Sequence, residues 1–302
     1  FILADDLGYR ELGSYGQKKI KTPYLDQLAR EGMRFTRNYS GNAVCAPSRC
    51  VLMTGKHPGH AYIRNNGEFK PEGQRPIPLN EVTMAKIFKK EGYMTGAFGK
   101  WGLGGPGTEG DPMNQGFDRF FGYNCQRHAH SYYPDYLWSD RDRVPLNNNP
   151  PVPGHASLPK GSDPADPESY EVFKGKDYAS DRINEQVLEF ITDNKDKPFF
   201  LFMSHFSVHD PIHGRADLVE KYKKKLAKMK PVPGPDYILE GNPDSPTFPT
   251  RAELNQLIKH PLYANSYKSY PNDLVKVKQK QDNIQLAGMV EAVDPVSYTH
   301  LT

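Results

Sequence analysis

The alternation of apolar and polar positions breaks the chain into short strands and amphipathic helices in turn. Phe1-Ile2-Leu3-Ala4 is an apolar run followed by Asp5-Asp6-Leu7-Gly8, and reads as a buried strand whose C-terminal end delivers two carboxylates into a loop. Thr22-Pro23 opens a helix carrying Leu25, Leu28 and Ala29, which Gly32 closes. Met33 to Tyr39 reads as a second strand, and Ser48 to Thr54 as a short helix ended by Gly55. Asn80 caps a helix through Lys90, Gly92 stops it, and Tyr93 to Phe98 forms the next strand. From Gly102 to about Tyr170 the order loosens, with Pro and Gly recurring, so an irregular insertion is expected there. Order returns at Tyr178 to Asn194, where Ile183, Val187, Leu188 and Ile191 share one helical stripe, and Pro198 to Met203 follows as a buried strand. A Pro-rich stretch covers Pro231 to Pro249, and a last helix begins near Asp282 and is expected to break at Pro295. Strands alternating with helices predict an α/β fold around a largely parallel sheet, and no internal repeat is visible.

Composition narrows the function classes without choosing one. The 302 residues are 37% hydrophobic, enough for a substantial core, and 39 basic against 36 acidic side chains give a net charge of +3. That balance gives no reason to expect a nucleic-acid partner. No apolar run approaches the roughly 20 residues needed to span a bilayer. The chain starts at Phe1 without an initiator Met, so a preceding segment is expected. Three cysteines, Cys45, Cys50 and Cys125, are too few for a disulfide framework and lack zinc spacing, which leaves a chemical role open for at least one.

The strongest chemical signal is Cys45-Ala46-Pro47-Ser48-Arg49, with Cys45 just ahead of a predicted helix start and Arg49 one turn inside. Free N–H groups and the helix dipole favour an anion there, so a reactive atom sits in an anion-binding setting. Asp5 and Asp6 are adjacent acids at a strand end, an arrangement that a hard divalent cation with oxygen ligands would neutralise. Lys100 follows an apolar strand between Gly99 and Trp101, and His209 follows the strand ending near Met203, directly before Asp210-Pro211. His205 reads as a structural strand residue. The basic run Lys221 to Lys230 reads as a solvated helix face, with a sulfated polymer as its other reading.

These segments resemble the sulfatases of the alkaline phosphatase superfamily, from the Cys-x-Pro-Ser-Arg signature at Cys45 to the Gly-Lys-Trp segment at Lys100 and His209-Asp210-Pro211. The resemblance implies an α/β fold whose largely parallel central sheet is flanked by helices on both faces, in a catalytic domain over 1–294. It implies hydrolysis of a sulfate ester on a glycan or on an aryl or alkyl alcohol, with Cys45 oxidised to formylglycine by a formylglycine-generating or sulfatase-maturating enzyme. Asp5, Asp6 and converted Cys45 are then calcium ligands, Arg49 and Lys100 hold the sulfate, and His209 serves the leaving group. A periplasmic, secreted or lysosome-like location is implied too.

Two departures accompany the likeness. Gly102 stands where most family members carry a His that hydrogen-bonds the formylglycine hydroxyl; either a subgroup does without that His, or another group such as His57 or His60 approaches the site. The family's Asp-Asn pair and second Lys are not met before Thr302, and Val296 to Thr302 lacks helical periodicity, so a truncated or foreign tail at 295–302 is expected, and with it poor calcium binding and no activity of this span, although the full-length parent is expected to be active. A phosphate or phosphonate ester hydrolase of the same superfamily and a non-catalytic binder of sulfated glycans remain the alternatives. Tyr132, Tyr133, Tyr136 and Trp138 are candidates for stacking on sugar rings, against a plain packing role.

Overall fold

The structure, a computed structural model, describes residues 1–69, 72–162, 167–230, 237–241, 274–278 and 280–298, with single positions 233 and 256. The chain forms two compact units, Phe1–Tyr222 with Ile284–Thr302, and Lys223–Asn283. The second unit contributes, among the described residues, an antiparallel strand pair, Tyr237–Gly241 with Leu274–Lys278.

At the centre of the first unit is a six-stranded sheet. Its order is β1 (Ile2–Ala4), β6 (Phe199–His205), β2 (Met94–Lys100), β3 (Arg119–Tyr123), β4 (Tyr136–Ser139) and β5 (Asp142–Pro145). The first four of these neighbours run parallel, and β4 and β5 extend the sheet antiparallel. Because side chains alternate along a strand, each central strand feeds two cores. Ala97, Phe120 and Phe202 face α2 (Cys45–Thr54) and α3 (Met84–Lys90), whereas Phe98, Phe121 and Met203 face α4 (Ala179–Asn194) and α6 (Ile284–Tyr298), which follows α5 (Ala216–Ala227) among the described helices. Helices therefore cover both faces, as the sequence predicts. No helix among the described residues is long and apolar enough to cross a membrane.

Several local expectations are corrected. Met33 to Tyr39 forms no strand: Met33, Phe35 and Tyr39 are exposed, and no described strand lies beside the segment to accept its backbone hydrogen bonds. β1 is an edge strand with Phe1 and Ile2 exposed rather than a buried one. Helix α2 starts at Cys45, three residues earlier than Ser48, because Pro47 lies in the first turn, where a missing N–H removes no intrahelical bond. Helix α3 starts at Met84, since Thr83 rather than Asn80 caps it, its hydroxyl accepting from Lys86 N at 3.2 Å.

The region from Gly102 to Tyr170 is more ordered than its composition predicts. It holds β3 and a hairpin of β4 and β5 joined by the two-residue turn Asp140-Arg141, with Asp140 at φ +55°. Helix α6 runs through Pro295 to Tyr298, so the expected break is not there; the last four residues lie outside the described part. The Asp294 carboxylate of α6 accepts from Tyr24 N at 3.2 Å and Leu25 N at 2.8 Å, capping α1 (Pro23–Glu31). Most of Pro231 to Pro249 lies outside the described residues.

Candidate active site

In a parallel sheet the carboxyl ends of the strands meet on one edge, where ligands of such folds bind. Register places Ala4 opposite His205 and Gly99 opposite Ser204, so the residues just beyond β1, β2 and β6 converge. Asp5 is tied to the segment after β6 by two backbone hydrogen bonds, Asp5 N to Ser207 O at 3.1 Å and Val208 N to Asp5 O at 2.7 Å. Gly99 at φ +101° allows β2 to pass the Ser204 carbonyl, where a Cβ would overlap it, and so sets the direction of Lys100.

Asp5 is the charge centre. Its Oδ2 accepts from Lys100 Nζ at 2.6 Å and lies 3.4 Å from Arg49 Nη2, with Lys100 1% and Arg49 3% exposed. Burial raises the Asp5 pKa, but the Arg49 and Lys100 charges outweigh it and hold the carboxyl below its ordinary value. Arg49 reaches inward from α2, with Nη1 donating to Lys100 O at 2.5 Å and to the Ser204 hydroxyl, while its buried Nε has no partner among the described residues. That orphan donor is left for a ligand.

Cys45 is the first residue of α2, so its thiol lies beside the free N–H groups of the helix start. Its Sγ is 3.5 Å from Lys100 Nζ and 3.9 Å from His209 Nε2. Burial pushes the thiol up, but the His209 hydrogen bond and the Lys100 charge together hold it below the ordinary thiol value. His209 also lies 3.4 Å from Asp6 Oδ2 and 2.9 Å from Asp210 Oδ1 through Nδ1. Burial lowers its pKa, but the Cys45 hydrogen bond, the Asp210 carbonyl and Asp5 raise it to about 9. Arg49, Lys100 and protonated His209 thus face Asp5, Asp6 and Asp210, three cations against three carboxylates.

Two predictions follow from the thiol–imidazole pair. In unconverted protein at neutral pH, iodoacetamide is expected to label Cys45 first, because Cys50 and Cys125 are buried and burial raises both their pKa values. Peptide mapping after partial labelling that found Cys50 or Cys125 modified ahead of Cys45 would contradict this. His209, whose folded pKa of about 9 lies above its ordinary 6.5, adds stability that is complete below pH 6.5 and is lost as pH rises through about 9. Imidazole NMR titration of unconverted protein should show that high midpoint, and Cys45→Ala should lower it.

The six residues singled out in the sequence, Asp5, Asp6, Cys45, Arg49, Lys100 and His209, come together, with Asp6 outermost, 61% exposed at its side chain and at φ +60°. His205 is buried at the end of β6, where burial holds it neutral with a pKa of about 4. His57 and His60 are exposed beyond the C-terminal end of α2, whereas Gly102 is buried and the atoms nearest a Cβ built on it belong to Gln126. Of the aromatic residues, Tyr132 and Tyr133 are core residues, and Tyr136 and Trp138 hydrogen-bond the Glu72 carboxylate. Packing is thus their observed role.

His130 and Gln126 escaped the sequence reading. The His130 ring stands perpendicular to His209 with centroids 4.4 Å apart, and burial, His209 and Lys100 together depress its pKa to about 4. Both lie in the stretch without periodicity, and the only sequence signal is the polar run Gln126-Arg127-His128-Ala129-His130 following β3.

Family comparison agrees with this geometry. The Sulfatase family model matches residues 1–274. The chain belongs to the sulfatase family. It is 47% identical to bovine (Bos taurus) arylsulfatase A over 122 residues, 40% of this chain and 24% of that protein. It is 31% identical to mouse (Mus musculus) arylsulfatase J over 224 residues, 74% of this chain and 34% of that protein. Among solved structures, BT4656 in complex with its substrate D-glucosamine-2-N,6-O-disulfate superposes with a TM-score of 0.56 at 21% identity, covering 99% of this chain and 58% of that one, a likeness of fold. The chain thus spans about a quarter to a third of the curated relatives it matches here.

Proposed function

We propose that this sulfatase-family chain carries the nucleophile and sulfate-binding half of an enzyme that hydrolyses a sulfate monoester, with Cys45 converted to formylglycine. The observation that carries the proposal is the meeting, at one helix start, of Cys45 with Lys100 Nζ, His209 Nε2 and the orphan Nε of buried Arg49. Formylglycine, when present at position 45, supplies a hydrated aldehyde whose hydroxyl is the nucleophile and whose second hydroxyl lets the site reset.

The chain's own residues supply the rest. Lys100 and Arg49 bind and orient the sulfo oxygens and stabilise charge that develops on them. Asp5 holds both cations in place, its carboxylate shared between them. His209, whose Nε2 faces position 45, is placed to give a proton to the departing alkoxide.

Calcium fits the donor chemistry in part. Asp5, Cys45 and His209 place ligand atoms within 4.8 Å of one another, and Asp6 adds a carboxylate on the His209 side. Calcium takes about six to eight oxygens, so Asp5, Asp6 and an oxygen at position 45 would hold it only with further donors from water, substrate or other residues. Bound there, it would offset the carboxylate charge and polarise an oxygen at position 45.

We assign the substrate to sulfated sugars or related alcohols, supported by the glucosamine disulfate held by BT4656. Comparing matched aryl sulfate and aryl phosphate is the direct test. Sulfate turnover exceeding phosphate turnover is expected, since Arg49, Lys100 and His209 are already matched by Asp5, Asp6 and Asp210 and a singly charged ester is easier to accommodate than a doubly charged one; the reverse order would make the protein a phosphoesterase instead.

A further inference from the structure

The turn at Gly102 leaves room beside Lys100 that the carboxamide of Gln126 fills. Gly102 adopts φ +81°, and a Cβ built on it would overlap the Gln126 amide nitrogen, so a side chain at 102 and this glutamine exclude each other. Gly102 lies two residues beyond Lys100, and its N–H donates to Asn124 O at 3.2 Å, which keeps both segments at the carboxyl edge of the sheet where Cys45 lies.

The Gln126 backbone is fixed on two sides. Its N–H donates to Gln74 Oε1 at 3.0 Å, and its carbonyl accepts from His130 Nδ1 at 2.6 Å. Since a carbonyl only accepts, His130 carries its proton on Nδ1, and its ring is the one that stands against His209. The side chain is 3% exposed, yet neither Nε2 nor Oε1 has a hydrogen-bonding partner among the described residues. An unpaired buried amide is destabilising, and one whose backbone carbonyl is tied to His130, the ring that stands against His209, marks a place where a ligand completes the bonding.

We propose that Gln126 is a catalytic residue whose Nε2 donates a hydrogen bond to a sulfo oxygen of the bound ester, in the space a side chain at 102 would otherwise take. The proposal rests on the sulfatase reading above for the identity of that oxyanion. A carboxamide adds a donor without adding charge to a site where Lys100 and Arg49 already neutralise Asp5. Its contact strengthens as negative charge grows on the sulfo oxygens, so it acts more on kcat than on KM.

The test is Gln126→Met, which keeps length and packing but removes both polar atoms, with Gln126→Glu as a second variant that keeps shape and removes the donor. For the protein matured with its formylglycine-generating enzyme, kcat/KM toward a sulfate ester is expected to fall about 100-fold in each. The melting temperature of Gln126→Met is expected to stay level or rise, because two unsatisfied buried groups are gone. A purely structural glutamine predicts the opposite pair, a lower melting temperature and undiminished kcat/KM, and that result overturns the proposal. Inorganic sulfate binding, measured by calorimetry on wild type and both variants, separates the two claims. If wild type turns over no sulfate ester, the functional reading fails, and sulfate affinity alone then decides Gln126: weaker binding in the variants supports its role, equal binding overturns it.

Discussion

Cys45→Ala is expected to lower kcat for sulfate ester hydrolysis by at least about 10,000-fold while leaving the fold intact, because it removes the only group at the site proposed to form a bond to sulfur. The side chain is only half-buried at the first position of α2, and the helix is anchored by Ala46, Cys50 and Met53 instead. Cys45→Ser should be equally inactive, since a single hydroxyl lacks the second hydroxyl that lets a hydrated aldehyde reset. A melting temperature close to wild type together with lost turnover is the predicted pair. Turnover within tenfold of wild type in Cys45→Ala would show that another residue supplies the nucleophile.

Lys100→Met should damage stability and turnover together. Lys100 is 1% exposed and its ammonium sits 2.6 Å from Asp5 Oδ2, so an apolar replacement takes the nearest cation from a buried carboxylate and leaves Arg49 at 3.4 Å. Removing one partner of such a pair costs about 3–5 kcal/mol, which lowers the melting temperature by on the order of 10 °C for a chain of this size. The same change withdraws a cation from the sulfo group and should reduce kcat by a further factor of about 100 to 1,000. Thermal unfolding in chelator and steady-state assays measure the two effects separately. The double variant Lys100→Met with Asp5→Asn should recover neither turnover nor full stability, because it removes the stranded carboxylate but leaves the buried Arg49 guanidinium without its counter-ion.

The candidate site was legible in the sequence because its residues sit in contiguous motifs at strand and helix ends. Cys45 and Arg49 lie one turn apart on α2, Lys100 and His209 follow apolar strands, and the resemblance to the sulfatases joined these segments into one site. The parallel core was legible for the same reason: α4 and β6 carry strong periodicity and bury Ile183, Val187, Phe202 and Met203. Met33 to Tyr39 has the alternation of a strand, yet a strand also needs a neighbour, and periodicity says nothing of neighbours.

The hairpin of β4 and β5 was missed because its strands have four residues each and its turn is Asp-Arg rather than a glycine turn. Gln126 was invisible for a different reason. Its partner is an absence, the hydrogen side chain of Gly102, and only the folded β2–β3 pairing brings the two together. The sequence posed the question at Gly102 and offered His57 and His60; both stand at the wrong end of α2.

Mass spectrometry of the tryptic peptide bearing position 45, from protein produced together with a formylglycine-generating enzyme, tests the central claim most directly. The account predicts that the CH2–SH of Cys45 has become CHO, with sulfur and two hydrogens lost and one oxygen gained, and that the fraction converted scales with specific sulfatase activity. An intact thiol at position 45 in protein that turns over its sulfate ester at full rate would contradict it.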